Sequence, residues 1–419
     1  MEKHPIEQWR KDAQQPWSQE LCQAVRDLTL YDDNLVLPYT VPDPLKCFDG
    51  QAVETPHDWF AKRRPELLKW FTENFYGPLP LRTDQVTYEV VEEADDALDG
   101  TAVRRQVRLD FAMANGRTHS AMMLMYLPKN TNGKKVPVFL GLNFKGNHST
   151  VTEEAVLVNP RTADVPRGDA QQTARWPHAD VVQRGYASAT CCYLDFFPDS
   201  TDGWGESIWS LFDDGLKGFD GTHPKYGSIS AWAWGLSRLL DCLETIPEVD
   251  ATRVVVHGHS RLGKTALWAG ANDQRFRMVV SNDSGCGGAA LSRRWYGETF
   301  LVMLNVFKHW CPEAARKFIV HEPEMPVDQH ELIALAAPRP IAVASATEDQ
   351  WADPKGEFLS AYYAGPVYQL LGHFEVLNRD MPKPGESVSG DVSYHYRIGV
   401  HDQIAFDWNH YLDLADRWV

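Results

Sequence analysis

Short apolar runs dominate the second half of this chain, and they are separated by longer segments of mixed polarity. None is long enough to form a typical buried helix, and several are rich in β-branched residues or alanine. This pattern is typical of strands that are buried on both faces of a parallel sheet, with helices between them. The runs occupy residues 136–142, 187–192, 254–256, 278–281 and 341–346.

Alternation of apolar and polar residues marks residues 86–90, 103–111 and 121–127, which predicts antiparallel strands at one sheet edge. The fold predicted is therefore α/β, a three-layer αβα sandwich with a mostly parallel central sheet, whose functional site lies at the carboxyl ends of the strands. The predicted helices cover residues 7–21, 58–75, 228–243, 262–271 and 406–418.

The chain divides at about residue 80. Residues 1–80 are rich in tryptophan, proline and charge, and we interpret them as an N-terminal segment that wraps around the same domain. Residues 81–419 carry the sheet pattern. A chain of 419 residues with 43% hydrophobic content can bury one large core.

Charge and composition exclude several classes of partner. The net charge of −16 argues against nucleic acid and anionic membranes, because phosphate would repel the protein. No apolar run approaches the roughly 18 residues of a membrane span, and the first residues lack a secretory signal. We expect a secreted or periplasmic protein if a leader was removed and a cytoplasmic one if the chain is complete as written.

Seven cysteines show no metal-ligand spacing, so we predict mostly buried free thiols, no metal and no cofactor. Most of the fifteen tryptophans are expected in the core, although indole faces can also stack on sugar rings. Oligomerisation has no sequence signal here, and we expect a monomer.

The most informative stretch is VVVHGHSRLGK, residues 254–264. An apolar strand ends abruptly at Ser260, glycines flank the serine at positions 258 and 263, and a helix-forming segment follows. This is the pattern of a nucleophile elbow, in which a tight strand-to-helix turn exposes a serine. The usual pattern is G-x-S-x-G, whereas here Leu262 stands where the second glycine belongs.

Four further blocks accompany this elbow, and the five together resemble the glucuronoyl esterases, carbohydrate esterase family 15, in its bacterial branch. The resemblance covers roughly residues 80–419 and implies that residues 81–419 are an α/β-hydrolase catalytic domain. The blocks are NFKGNH at 143–148, NDSGCGGAA at 282–290 running on to Glu298, EDQWADP at 348–354, and GVHD at 399–402 ahead of Asp407 and Trp408.

The resemblance assigns the chemistry. Ser260 is the expected nucleophile and His401 its general base, in the chain order usual for this fold. Arg261 is expected to stabilise the oxyanion through its amide and its guanidinium. The resemblance also implies that Lys264 and Glu298 bind the hydroxyls of a glucuronic acid ring, with Trp351 packed beside it.

Fungal relatives carry a disulfide between the residue before the serine and the residue after the histidine. Here these positions are His259 and Asp402, so both halves of the bridge are missing together.

The acid that orients the histidine has two candidates. Asp283 follows the predicted strand at 278–281, where fungal members carry glutamate, and Asp349 follows the strand at 341–346, the usual hydrolase location. Both can serve, and we favour Asp349 if only one does. Asp353 is a weaker third candidate.

The sequence thus predicts a serine esterase that cleaves esters of 4-O-methyl-D-glucuronic acid, the linkage between glucuronoxylan and lignin alcohols, through a glucuronoyl-serine intermediate. Two alternatives stay open. One is another carbohydrate esterase, such as an acetyl xylan esterase, and the other is a non-catalytic carbohydrate-binding relative.

Overall fold

The computed structural model describes residues 4–419, and its strands form one ten-stranded sheet. The strands are β1 (Gln85–Asp96), β2 (Ala102–Ala112), β3 (Thr118–Pro128), β4 (Val136–Asn143), β5 (Ala187–Cys192), β6 (Val249–His259), β7 (Phe276–Asn282), β8 (Ile341–Ala346), β9 (Ser387–Val388) and β10 (Val392–Arg397).

Helices connect and cover these strands. They are α1 (Ile6–Asp12), α2 (Gln19–Asp27), α3 (Pro56–Asp58), α4 (Arg64–Phe71), α5 (Ala97–Gly100), α6 (Ala170–Arg175), α7 (His178–Gln183), α8 (Ser228–Leu243), α9 (Arg261–Asn272), α10 (Phe300–Val306), α11 (Gln329–Ala334), α12 (Pro354–Leu370) and α13 (Ala405–Trp418). Wider π-helical turns, Trp59–Arg63 and Thr72–Tyr76, flank α4.

The sheet order is β1-β2-β3-β5-β4-β6-β7-β8-β10-β9. The six strands from β5 to β10 in this order pair in parallel, while β1, β2 and β3 form the predicted antiparallel edge and β9 closes the other edge. The predicted mostly parallel sheet is confirmed. All six parallel strands end at the same edge, which collects the loops that follow them.

Both faces of the sheet are buried, as the uninterrupted apolar runs predict. In β6, Val254 and Val256 belong to one large core with α8 and α9. Val255 between them points to a second core, where Trp408 and Tyr411 of α13 pack. Successive side chains of a strand face opposite sides, so helices on both faces are required to cover this run.

The N-terminal prediction of one helix over residues 7–21 is wrong, because α1 and α2 are separate. Pro16 cannot continue a helix, and the Ser18 side chain caps α2 by accepting the amide of Leu21. The two helices bury Trp9 and Val25 in a shared cluster with residues of the main domain. The segment before residue 80 therefore packs onto the α/β core.

Strand β10 and helix α12 were not predicted. The sequence of β10, VSYHYR, carries Ser393, His395 and Arg397, which are polar yet buried. Val392, Tyr394 and Tyr396 alternate with these polar residues, which is a strand pattern that the prediction overlooked. His395 and Arg397 both hydrogen-bond Asp407 of α13, and this polar network makes the burial of the polar face possible.

All seven cysteines are free and all but Cys22 are buried, as predicted. Eleven of the fifteen tryptophans are buried, which confirms that most belong to the core. Within residues 4–419, no helix combines the length and the apolar character that crossing a bilayer would require.

Candidate active site

Ser260 lies between β6 and α9 in a backbone conformation that is rare for serine. Its φ is 58° and its ψ −130°, which places it in the strained turn of a nucleophile elbow. A Cβ on Gly258 would lie 2.0 Å from the carbonyl oxygen of Leu262, and one on Gly263 would lie 2.9 Å from Cβ of Ser284. The elbow therefore requires glycine at both positions. Relative to the usual G-x-S-x-G pattern the second glycine is shifted by one residue, and the turn accommodates Leu262 in its place because this side chain is buried in the core.

The pocket at the serine collects loops from several parallel strands. Ser260 and Arg261 follow β6, Phe144 and Lys145 follow β4, and His401 follows β10, and all of them line one cavity of about 260 Å³. The predicted location at the carboxyl ends of the strands is therefore correct.

A hydrogen bond with Asp349 orients the imidazole ring of His401. The Nδ1 atom of His401 and Oδ2 of Asp349 are 2.5 Å apart, and the aspartate side chain is buried whereas the histidine is 41% exposed toward the pocket. A carboxylate on Nδ1 fixes the tautomer that leaves Nε2 free to accept a proton. Of the two acids that the sequence left open, Asp349 has the geometry of a triad acid.

Asp283 lies next to this pair without a direct contact to the imidazole. Carboxylate oxygens of Asp283 and Asp349 and a ring nitrogen of His401 lie within 4.8 Å of one another. Arg397 donates to Oδ2 of Asp283 at 3.3 Å, and Oδ1 has no hydrogen-bond partner among the described residues. Burial, reinforced by the charge of Asp349, raises the pKa of Asp283 well above its usual range.

The same three residues have the chemistry of metal ligands, but their geometry is that of a hydrogen bond. Two ligands bonded to one zinc ion at about 2.1 Å lie roughly 3.4 Å apart in a tetrahedral site. The His401 and Asp349 atoms are closer together than this, at a separation typical of a charge-assisted hydrogen bond. The third acidic candidate, Asp353, lies elsewhere: it caps α12 at the Gly356 amide and pairs with Arg294.

Arg261 is held at the pocket by residues that the sequence analysis did not identify. Its guanidinium pairs with Asp199 and lies over the rings of Phe307 and Trp310, 5.2 and 4.9 Å from their centroids. Asp199 also accepts hydrogen bonds from Tyr193, His309 and Trp310. These donors, with the charge of Arg261, hold the pKa of Asp199 well below its usual range although burial opposes them. The arginine is thus fixed in one position before any substrate binds.

Lys264, one turn after Arg261, is buried beside the same aromatic residue. Its Nζ donates to the carbonyl oxygen of Ser284 at 2.5 Å and lies 5.6 Å from the ring centroid of Trp310. Arg261 and Lys264 therefore point to the same side of the pocket, because both cations lie beside the ring of Trp310.

Glu298 and Trp351 come together through their backbones, with the Glu298 amide 2.8 Å from the carbonyl oxygen of Trp351. Burial raises the pKa of Glu298, although the charges of Lys264 and Arg261 oppose the shift. The three predicted sugar-binding residues therefore belong to one neighbourhood next to the elbow. Trp351 is half-buried and packs against the N-terminal cluster, with Arg26 5.6 Å from its ring centroid.

The positions of the missing fungal disulfide hold non-covalent contacts instead. The ring of His259 lies 4.4 Å from that of His401, and Nδ1 of His259 is 2.6 Å from Oδ1 of Asn282. Burial lowers the pKa of His259, whose ring packs against that of His401. Asp402 accepts from Arg175 at 2.6 Å. Together these contacts tie the histidine loop to the elbow and to α6.

Asp199 and Arg175 had no sequence signal of their own. Asp199 stands seven residues after the end of β5, and Arg175 lies on the short helix α6. The carboxyl end of β5 is adjacent to that of β4 in the sheet, so only the strand order brings Asp199 to the pocket.

A strained serine elbow, a histidine paired with a buried carboxylate and a fixed cation at one sheet edge define a serine hydrolase of the α/β-hydrolase fold. Comparisons with known proteins give the family. A family model described as glucuronyl esterase of fungi matches residues 217–372. Carbohydrate esterase MZ0003 from an unknown prokaryotic organism is 40% identical over 409 residues, covering 92% of this chain and 91% of that protein.

The 4-O-methyl-glucuronoyl methylesterase of Phanerochaete carnosa is 32% identical, covering 84% of this chain and 75% of that protein. Among solved structures, the glucuronoyl esterase from Solibacter usitatus superposes with a TM-score of 0.84 at 40% identity, covering 91% of this chain and 98% of that one. A promiscuous esterase of the same family from a marine bacterial metagenome superposes with a TM-score of 0.82 at 37% identity, covering 93% and 100%. The chain belongs to the glucuronoyl esterases, carbohydrate esterase family 15.

Proposed function

We propose that this protein hydrolyses esters of 4-O-methyl-D-glucuronic acid, of the kind that join glucuronoxylan to lignin alcohols. The observation that carries the proposal is the pairing of His401 with Asp349 at the mouth of the pocket that Ser260 and Arg261 line. The names of the relatives, glucuronoyl esterase and 4-O-methyl-glucuronoyl methylesterase, support the substrate class.

The reaction begins when His401 takes the proton of Ser260 through Nε2 and the serine oxygen attacks the ester carbonyl. The oxyanion that forms is stabilised by the amide and the guanidinium of Arg261, which Asp199 already holds in place. His401 then protonates the departing alcohol. A glucuronoyl ester of Ser260 remains, and His401 activates a water molecule that hydrolyses it.

Sugar specificity is assigned to Lys264, Glu298 and Trp351. Lys264 and Glu298 offer a cationic donor and a carboxyl group to ring hydroxyls, and the indole of Trp351 offers an apolar face and one N–H. An acetyl group presents no ring hydroxyls, so an acetyl xylan esterase would have no use for this set. The leaving alcohol is expected to point into solvent and to influence the rate little.

The test compares benzyl glucuronate with acetylated xylan. We expect release of benzyl alcohol, with a burst that reports the acyl-serine, and slow cleavage of acetyl groups. Ser260→Ala should abolish turnover while circular dichroism stays unchanged, since one oxygen atom is removed from a surface turn. Turnover near that of the native protein in Ser260→Ala would refute the nucleophile, and a preference for acetylated xylan would favour the alternative esterase.

The remaining expectations concern partners and compartment. We propose that the protein acts as a monomer on glucuronic acid esters and glucuronoxylan fragments, without nucleic acid or membrane partners. Light scattering tests the monomer, and fractionation of the source cells distinguishes export from a cytoplasmic location.

A further inference from the structure

A second and larger cleft lies outside the catalytic pocket, and the charged side chains that line it are mainly cationic, whereas the protein as a whole is acidic. It has a volume of about 660 Å³ and is bounded by the end of α1, by the segment after it and by residues 305–321. Such a volume lies within the roughly 300–1,000 Å³ of small-molecule sites. Four permanent cations line it, against one carboxylate, Asp12, in a chain of net charge −16: Arg10, Lys308, Arg316 and Lys317.

Two of these cations form no ion pair with a described residue. Within residues 4–419, neither Arg10 nor Lys308 has a carboxylate within 4.0 Å. For Arg10 this is unusual, because most arginines of the chain form ion pairs. Arg316 donates to the carbonyl oxygen of Leu304 and to Asn305, which fixes its guanidinium without neutralising it. The cleft therefore keeps a positive potential suited to an anion.

The rest of the lining suits a carbohydrate. Trp17 is one of only four tryptophans in residues 4–419 that are not buried, and it lines this cleft together with the exposed amides of Gln14 and Gln15. An indole face stacks on a sugar ring, and amides donate to and accept from hydroxyl groups. Cations, amides and an accessible indole together are the chemistry of an acidic sugar site.

One segment connects the cleft with the catalytic pocket. Lys308 lines the cleft. The rings of Phe307 and Trp310, close to it in the chain, stack with their centroids 3.9 Å apart, and the guanidinium of Arg261 lies over both rings. The segment 307–310 therefore contributes both to the cleft and to the surroundings of Arg261. The uronic acid at the serine is an ester and carries no negative charge, so the cations of the cleft must serve a different group.

We propose that this cleft binds free, unesterified glucuronate side chains of the same glucuronoxylan molecule whose ester lies at Ser260. The inference rests on the proposed esterase function for the identity of the polymer. It names the substrate more narrowly, as an acidic polysaccharide that carries both esterified and free uronates, and it assigns Arg10, Lys308 and Trp17 as binding residues.

Binding tests the site without turnover. In the Ser260→Ala background, calorimetry should show tighter binding of glucuronoxylan with free carboxylates than of neutral xylan. Arg10→Gln together with Lys308→Gln should weaken glucuronoxylan binding about three- to tenfold and leave neutral xylan unchanged, because each exposed charge pair contributes modestly. Trp17→Ala should weaken both ligands, because stacking does not depend on charge.

The matched control is Lys134→Gln with Lys135→Gln, which removes the same charge from the exposed loop before β4, at the opposite edge of the sheet. Equal weakening in both double variants would mean that net charge alone attracts the polymer and would overturn the proposal. Unchanged glucuronoxylan affinity in the Arg10 and Lys308 double variant would overturn it as well.

Kinetics separate this inference from the proposed function. With native Ser260, the Arg10 and Lys308 double variant should raise KM on partly esterified glucuronoxylan and leave kcat unchanged, with benzyl glucuronate unaffected. If the native protein fails to cleave benzyl glucuronate, the proposed function fails, whereas the calorimetric result still decides whether the cleft binds uronates.

Discussion

Replacing Asp349 by asparagine is expected to lower kcat on benzyl glucuronate by about 10⁴-fold, equivalent to roughly 5.5 kcal/mol of transition-state stabilisation. The change keeps the size of the side chain but removes the carboxylate that lies 2.5 Å from Nδ1 of His401. An amide can present its NH₂ group to Nδ1, which favours the wrong tautomer, and it cannot balance the imidazolium that forms during catalysis.

The same change at Asp283 should cost far less. A full charge within 4.8 Å of the imidazolium would contribute about 3.5 kcal/mol at an effective dielectric constant of about 20. Two features reduce this figure: Arg397 pairs with Asp283, and the raised pKa of the buried carboxyl keeps more of it protonated. We therefore expect Asp283→Asn to lose less than about tenfold in kcat, or about 1.4 kcal/mol.

The assay is steady-state hydrolysis by the two single variants and the double variant, with circular dichroism as the control for folding. The double variant should match Asp349→Asn alone. A modest loss in each single variant followed by a collapse in the double variant would show that both carboxylates share the task. A larger loss in Asp283→Asn than in Asp349→Asn would refute the reasoning from the hydrogen bond.

Three further predictions address the surroundings of the serine. Lys264→Met should lower kcat/KM on benzyl glucuronate about 10- to 100-fold through the loss of charged hydrogen bonds, and p-nitrophenyl acetate much less; equal losses would exclude a role in sugar recognition. Asp199→Asn should lower kcat, because Arg261 is no longer held in place. Arg261→Ala alone should lose about 10²- to 10³-fold in kcat, and adding Asp199→Asn to it should cause no further loss. Additive losses would show that Asp199 has an independent role. Asp402→Asn should break the pair with Arg175 and speed hydrogen exchange in the histidine loop, with lower kcat; unchanged exchange and kcat would mean that this pair does not hold the loop.

The apolar runs determined the central sheet, because a parallel strand buried on both faces is a continuous apolar run that is too short for a typical helix. The run at 254–256 followed by glycine, serine and glycine also determined the elbow. A Cβ at position 258 would lie 2.0 Å from the backbone, so only glycine fits there and the constraint is visible in the sequence itself. The chain order of serine, acids and histidine completed that part of the prediction.

Other features have no local signature. The burial of the polar face of β10 depends on hydrogen bonds from His395 and Arg397 to Asp407, which lies on another element. The break between α1 and α2, by contrast, has a local signal in Pro16 and Ser18, which the prediction of a single helix overlooked. The sequence left both Asp283 and Asp349 open, with a preference for Asp349, since each follows a strand that ends at the same edge.

Tertiary structure alone showed which of the two acids pairs with His401, and it supplied the groups around Arg261. A hydrogen bond depends on fractions of an ångström between loops that lie 52 residues apart, as for His401 and Asp349. Asp199 lies 62 residues from Arg261 and reaches it only because β5, β4 and β6 are adjacent in the sheet. The sequence by itself therefore determined the fold class and the elbow at Ser260, where the cause is local backbone geometry and burial. The contacts around the elbow were decided by strand order, which no single segment of the chain encodes.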